Sequence, residues 1–314
     1  MKAVVTGAAG FIGSRISFKL LESGHTVTGI DCMTDFYPRW IKQRNLDFLT
    51  DREAFSFIEK DVVDIDSKPL LGDADCVFHL AAQAGVRSSW GKSFSDYVRF
   101  NIEATQKLLE GARDSKVRKF VYASSSSVYG LSPELPWKEN GPLRPHSPYG
   151  VTKLAAENLC SLYHANYGLP TVSLRFFTVY GPGQRPDMAF HRFLKAVWEE
   201  KPIVVFGDGH QTRDFTYIDD IIEATVSSLD CGRSGEVYNI GGGHRLSLNE
   251  IIEIMSKVCR KKIEVVRNDV QKGDVPDTFA DIRKAGLEMG YVPRTDIEDG
   301  LSNEWRWIQE LYSR

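Results

Sequence analysis

Tyr149 and Lys153 stand four residues apart in Tyr149-Gly-Val-Thr-Lys153. On a helix that spacing puts a phenol and an ammonium on one face. Ser147-Pro148, just before them, reads as an N-cap followed by proline at the first helical position, so the segment predicts a helix. A phenol with an ordinary pKa of about 10 is a poor base at neutral pH. A nearby cation favours the phenolate, and Lys153 is therefore expected to bring Tyr149 toward the range where it can take a proton from an alcohol.

A second constellation lies at the N-terminus. Gly7, Gly10 and Gly13 follow an apolar strand and open a helix, with Phe11 and Ile12 between the last two glycines. Glycines let the backbone approach a pyrophosphate, and a helix N-terminus offers free amides and a positive dipole end. The spacing is Gly-x-x-Gly-x-x-Gly, which differs from the Gly-x-Gly-x-x-Gly fingerprint. Asp31 closes the next strand, where a carboxylate accepts hydrogen bonds from an adenosine ribose and repels a 2′-phosphate. Cys32 follows it instead of a basic residue. Together these features favour NAD over NADP.

Elements that alternate must hold these groups in place. Strands are predicted at Lys2 to Thr6, Thr26 to Ile30, Ala54 to Glu59, Cys76 to Ala81, Phe120 to Ser124 and Thr171 to Arg175. Helical stretches lie between them, notably Phe11 to Ser23, Tyr97 to Ser115 and Tyr149 to Tyr167. Such alternation implies an α/β fold, a Rossmann-type doubly wound parallel sheet with helices on both faces. Pro133, Pro136, Pro142, Pro145 and Pro148 mark a long loop before the Tyr149 helix. After Arg175 the rhythm changes to short mixed elements. Residues 1–172 read as an NAD-binding Rossmann unit, with 212–240 returning to it. Residues 173–314 read mainly as a smaller, interleaved substrate-binding unit.

Composition removes several classes of function. The 314 residues are 42% hydrophobic and 26% charged, which suits one large or two smaller cores. A net charge of -3 gives no argument for nucleic acid or an anionic membrane. The five cysteines are scattered and form no Cys-x-x-Cys pair, as in a reducing cytoplasm. The seven histidines show no metal-ligand spacing. No apolar run spans a membrane, and the start of the chain reads as a strand and glycine turn, not a signal peptide.

Taken together, these residues resemble the extended short-chain dehydrogenase/reductase family of nucleotide-sugar epimerases and dehydratases. The resemblance runs through the Gly7 to Gly13 turn, Asp31, Asp61-Val62, His79-Leu80-Ala81-Ala82, Ser124 to Gly130, Tyr149 to Lys153, Arg175 to Pro182 and Arg213-Asp214-Phe215. It implies a catalytic set of Tyr149, Lys153 and Ser125. It also implies that Asp61 and Val62 contact adenine and that Leu80, Ala81 and Ala82 line the cofactor. Ala82 to Trp90, Arg175 to Pro182 and Gln184 to Phe190 look closer still to bacterial UDP-glucuronate 4-epimerases. UDP-glucose 4-epimerases usually carry Asn at the Thr178 position. UDP-glucuronate decarboxylases usually carry Glu where this chain has Ser127.

For such an enzyme, Tyr149 would take the C4 hydroxyl proton while NAD accepts the hydride. Ser125 would fix the C4 oxygen, and Lys153 would hold the nicotinamide ribose. The 4-keto intermediate would turn over before its reduction. With a glucuronate, that intermediate is a β-keto acid prone to lose carbon dioxide, so the carboxylate must be gripped. Arg185 can supply a bidentate pair, and Ser127 and Thr178 can supply hydroxyls, with Ser126 beside them. Arg185 also has an acid of its own within reach, Asp187. For the diphosphate and ribose, the family pattern points to Arg213, Arg87, Lys272 and Asp274, with Gln271 where an arginine is usual. Members commonly form homodimers through a four-helix bundle, here the Tyr97 and Tyr149 helices. The competing readings are a UDP-glucose 4-epimerase, a UDP-glucuronate decarboxylase or 4,6-dehydratase, and a non-catalytic NAD-binding scaffold.

Overall fold

Apolar runs whose successive side chains are buried on opposite faces need cover on both sides, which a parallel sheet between helices provides. The computed structural model describes residues 1–132 and 134–313, so Pro133 of the predicted loop lies outside the described residues. In chain order its strands are β1 (Lys2–Thr6), β2 (Thr26–Asp31), β3 (Phe55–Glu59), β4 (Cys76–His79), β5 (Lys119–Ser125), β6 (Thr171–Phe176), β7 (Thr178–Tyr180), β8 (Ile203–Phe206), β9 (Thr212–Tyr217), β10 (Val237–Ile240), β11 (Arg245–Ser247) and β12 (Val265–Asn268). The helices are α1 (Phe11–Glu22), α2 (Arg39–Thr50), α3 (Ser67–Leu71), α4 (Phe94–Tyr97), α5 (Ala104–Arg113), α6 (Pro148–Tyr167), α7 (Ala189–Trp198), α8 (Ile218–Ser227), α9 (Leu248–Cys259), α10 (Arg283–Met289) and α11 (Ile297–Tyr312).

The main sheet has seven parallel strands in the order β10-β6-β5-β4-β1-β2-β3. This is the Rossmann order, with its switch point between β1 and β4, where such sheets open a crevice at the strands' carboxyl ends. Val4, Val77, Phe120 and Tyr122 face a core built with Leu108, Ala156 and Cys160 of α5 and α6. Val5, Phe78 and Val121 face the opposite core, shared with Ile16, Leu20 and Ile221 of α1 and α8. Period-two alternation in the strands thus fills both layers. Trp305 of α11 is buried in the second core, as a packing residue.

Three elements differ from the sequence-based expectation. The stretch 212–240 returns to the main sheet only through α8 and β10. β9 instead joins a three-stranded sheet with β7 and β11. The reason lies in Asp214, fully buried on β9. Its two carboxylate oxygens accept from the Gly242 and Ala280 amides at 2.6 and 3.0 Å, tying β9 to two later turns. The strand expected to reach Ala81 ends at His79, because the Leu80 and Ala81 amides turn to the Thr6 hydroxyl at 3.2 and 3.1 Å. The helix expected from Tyr97 to Ser115 begins at Phe94 and carries a π-helical segment, Val98–Glu103, between α4 and α5. Asn101 sits in that wide turn and bonds outward, as π-bulges at sites often do.

Candidate active site

The first half of the site is the turn between β1 and α1. Gly7 has φ +72°, and its amide and that of Ala8 both donate to the Ile30 carbonyl, at 2.7 and 3.1 Å. A Cβ at Gly13 would collide with the Gly7 carbonyl oxygen, and one at Gly7 would press on the Ala81 backbone. Gly10 is the N-cap of α1, and among the described residues no side chain caps that end. The helix therefore points open amides and its positive dipole end into the crevice. Asp31 accepts from the Ala9 amide at 3.2 Å and the Met33 amide at 2.8 Å. Lys42 of α2 lies 3.6 Å from Asp31, with both side chains under one-tenth exposed. The sequence gives no sign of this cation, since nothing but the packing of α2 brings position 42 to position 31. Uncapped amides, a glycine cradle and a strand-end carboxylate fit a dinucleotide.

Asp61 caps a short 3-10 turn through the Val63 amide at 2.9 Å and accepts from Arg99 Nε at 2.8 Å. Asp61, Val62, Leu80, Ala81 and Ala82 line one cleft of about 440 Å³ with Gly7, Gly10, Phe11, Ile12, Gly13 and Asp31. Below it, His79 is buried between Thr6 at 2.7 Å and Thr105 at 2.9 Å, and burial keeps it neutral, down to about 3. Asn101 receives the Gln83 amide at 2.7 Å and donates to the Thr152 hydroxyl at 2.9 Å. It therefore ties the cofactor-side loop to α6.

The second half of the site is where β5 meets α6. Ser125 ends β5 and caps the Ser126–Val128 turn, accepting from the Ser127 amide at 3.2 Å. Ser147 caps α6 by accepting from Gly150 at 3.1 Å, with Pro148 in the first turn as the sequence predicts. A side chain at Gly150 would meet the Ser127 carbonyl, so glycine lets the helix start press against the serine turn. Tyr149 consequently faces the cleft with Ser125, Ser126, Ser127 and Lys153. The ring of Tyr97 packs edge-on to it at 6.2 Å.

The electrostatics depart from the simple expectation. Burial pushes the Tyr149 phenol up from its ordinary value; the Ser125 hydroxyl and the Arg185 charge pull it down. Lys153 is 3% exposed, and its ammonium stands 4.4 Å above the Tyr122 ring. Burial brings Lys153 down to about 7, opposed by Cys160 and Glu157. In this structure desolvation dominates at Tyr149, and Arg185 is the cation whose charge opposes it. Behind Lys153 lies a buried ion pair. Arg175 Nε and Nη2 donate to Glu157 at 3.0 and 2.6 Å, and Ser124 donates to the same carboxylate at 2.6 Å.

The residues expected to bind substrate divide into groups. Ser126, Ser127, Thr178 and Arg185 share the cleft with Tyr149. Arg185 is chelated by Asp187, with Nε and Nη2 both 3.0 Å from its oxygens. Arg87 donates to Asp274 at 3.2 and 2.7 Å and lies 4.3 Å over the Phe206 ring. Arg213 donates to the Thr212 and Pro276 carbonyls at 2.8 and 3.1 Å; burial lowers its pKa, Asp274 opposes that and Arg87 adds to it. Those three form a charged cluster of their own. Lys272 lies apart, on a surface groove with Trp90, Phe94 and His146. Gln271 donates to the Asp269 carbonyl at 3.1 Å. Tyr37, Phe177 and Asp187 also line the main cleft. They carry no motif, and only the spacing of Asp187 to Arg185 points to one of them.

The model of the NAD dependent epimerase/dehydratase family matches residues 3–241. A Bacillus subtilis (strain 168) protein, an uncharacterized UDP-glucose epimerase called YtcB, is 45% identical over 314 residues, covering 99% of each chain. The UDP-glucuronate 4-epimerase of Thermodesulfobacterium geofontis is 43% identical over 313 residues, covering 98% of this chain and 96% of its own. Among solved structures, the UDP-glucuronic acid 4-epimerase of Bacillus cereus in complex with UDP-glucuronic acid and NAD superposes with a TM-score of 0.97. Its identity is 47%, covering 99% of this chain and all of that one. With its Rossmann-order sheet, glycine turn and facing tyrosine and serines, this chain belongs to the NAD dependent epimerase/dehydratase family.

Proposed function

We propose that the protein is an NAD-dependent UDP-glucuronate 4-epimerase that interconverts UDP-glucuronate and UDP-galacturonate. The observation that carries this reading is Arg185, a guanidinium in the same cleft as Tyr149 and Ser125. A C5 carboxylate is the substrate feature that gives such a cation a partner. NAD, when bound, supplies the reversible hydride acceptor. Tyr149 takes the C4 hydroxyl proton at its phenolic oxygen and, once the sugar has turned to present its opposite face, returns a proton to the C4 oxygen. Ser125 hydrogen-bonds the C4 oxygen and fixes its direction. Lys153, when protonated, adds positive charge beneath the cleft and holds the cofactor ribose. Ser126, Ser127, Thr178 and Arg185 orient the carboxylate. Arg87 and Arg213 hold the diphosphate, and Lys272 and Asp274 meet the phosphate and ribose end.

In this reading residues 1–172 with 218–240 carry the cofactor, and the remainder of 173–314 carries the sugar nucleotide. A homodimer through α5 and α6 is supported by large apolar side chains left exposed on these helices and their approach. They include Val98, Val151, Leu162 and Tyr167. Sedimentation velocity tests it. Five free cysteines support a reducing cytoplasm, and no described helix is long and apolar enough to cross a membrane.

A UDP-glucose 4-epimerase is the second reading, favoured by the fact that Asp187 already meets the charge of Arg185. Purified protein with catalytic NAD, given UDP-glucuronate or UDP-glucose and followed by proton NMR, separates the two. UDP-galacturonate without a UDP-pentose supports the proposal. UDP-galactose from the glucose substrate alone overturns it.

A further inference from the structure

The Arg185 guanidinium has two edges on which it can chelate a carboxylate. Nε with Nη2 forms the side-on edge, and Asp187 occupies it with two 3.0 Å bonds. Nη1 with Nη2 forms the end-on edge. Among the described residues Nη1 has no hydrogen bond, and the side chain is 23% exposed, toward the cleft that holds Tyr149.

The loop bearing this pair is itself pinned. Gln184 donates to the Val179 carbonyl at 2.9 Å and accepts the His191 amide at 2.9 Å. The Met188 amide donates back to the Arg185 carbonyl at 3.1 Å. Arginine is a long side chain with much rotamer freedom to lose. A fixed carboxylate two residues away removes that freedom before any ligand arrives, which is preorganisation.

We infer that Asp187 is a specificity-determining positioning residue. It holds Arg185 so that the end-on edge is presented to the carboxylate of an acidic sugar. This deepens the UDP-glucuronate reading and rests on it. The consequence falls at the 4-keto stage. Decarboxylation breaks the C5–C6 bond, leaves its electron pair on C5 as the enolate of the C4 ketone, and releases carbon dioxide. C5 then takes a proton, and the product is a UDP-4-keto-pentose with the cofactor left reduced. That bond breaks readily only when it stands perpendicular to the plane of the ketone. A carboxylate pinned in place by a rigid fork holds C6 out of that alignment; one held by a mobile arginine lets the ring flex until the C5–C6 bond reaches it.

The experiment compares the NAD-loaded wild type with Asp187→Asn and Asp187→Glu, each with UDP-glucuronate and with UDP-glucose. Melting temperature and bound NAD serve as checks on folding. The decarboxylated fraction of product, read by proton NMR and by reduced-nicotinamide absorbance, should rise in the order wild type, Asp187→Glu, Asp187→Asn. The rise in Asp187→Asn should be roughly tenfold, the scale of one misplaced hydrogen bond to a charged group. KM for UDP-glucuronate should rise by a similar factor, with KM for UDP-glucose unmoved. A merely structural aspartate would move both substrates together and leave the product ratio alone. Equal product ratios in folded, NAD-loaded variants overturn the inference. So does a lower KM for UDP-glucuronate in Asp187→Asn, since Asp187 would then be a competitor for Arg185. If Asp187→Asn does not fold, Asp187→Glu against wild type decides the same question. A wild type that forms no UDP-galacturonate refutes the underlying reading by itself, before any variant is considered.

Discussion

Tyr149 and Lys153 illustrate how burial competes with charge at one residue. The tyrosine needs a phenolate, yet the cleft that excludes water raises its pKa, and the lysine loses its proton more easily for the same reason. Tyr149→Phe removes the phenolic oxygen placed against Ser125 and should cut turnover by about 10²–10⁴-fold while bound NAD stays near the wild-type level. Single-turnover kinetics with the NAD content measured in parallel checks this; near-normal turnover would refute the assigned base. Lys153 yields a stability prediction. Folded, it titrates at about 7; unfolded, it returns to 10.5. Between those values the unfolded chain holds a proton that the folded chain has released, so this group makes stability rise with pH across the window. Below it, the folded protein bears the full cost of a desolvated ammonium. Lys153→Met should therefore raise the melting temperature most below about pH 7, with the gain shrinking as pH climbs toward the ordinary lysine value. A gain that grew with pH would contradict the assignment.

At the scale of elements, the turn from β1 to α1 is set by space. The helix can approach its own strand only because Gly13 has no Cβ to strike the Gly7 carbonyl. Gly13→Ala must push the α1 N-terminus away from the amides around Gly7 and Gly10. The expected outcome is loss of NAD affinity by roughly 100-fold, on the order of two or more charge-assisted hydrogen bonds. Titration calorimetry reads it, and unchanged NAD affinity in a folded variant would show that the cradle is not the pyrophosphate site. The π-helical turn is a comparable device. It lets Asn101 leave helical register and hold Gln83 and Thr152 together.

Across the whole molecule, one buried pair among the described residues joins three elements behind the Tyr149 half of the site. Glu157 comes from α6, one turn beyond Lys153; Arg175 comes from β6; and Ser124 comes from β5, next to Ser125. Both charges are 3% exposed and satisfied by several hydrogen bonds, so removing one strands the other in a dry interior. Glu157→Gln should destabilise the fold by about 3–5 kcal/mol in urea unfolding. A loss below about 1 kcal/mol would mean that water reaches Arg175 and that the pair is not sealed.

Much of this was written locally in the chain. The strand and helix pattern, the glycine turn, the Ser147-Pro148 start of α6 and the Tyr149–Lys153 face follow from periodicity, φ and capping, which act within a few residues. They gave the Rossmann-type α/β class and most of the cleft, from Gly7 to Asp31 and from Ser125 to Lys153. Tertiary structure decided what depends on distant partners. Lys42 meets Asp31 only because α2 packs there, Arg99 comes to Asp61 from another helix, and β9 leaves the main sheet because Asp214 is tied to Gly242 and Ala280. The ionisation of Tyr149 and Lys153 likewise belongs to the folded molecule. A pKa reflects the water that packing removes, and no spacing of residues along a chain specifies that.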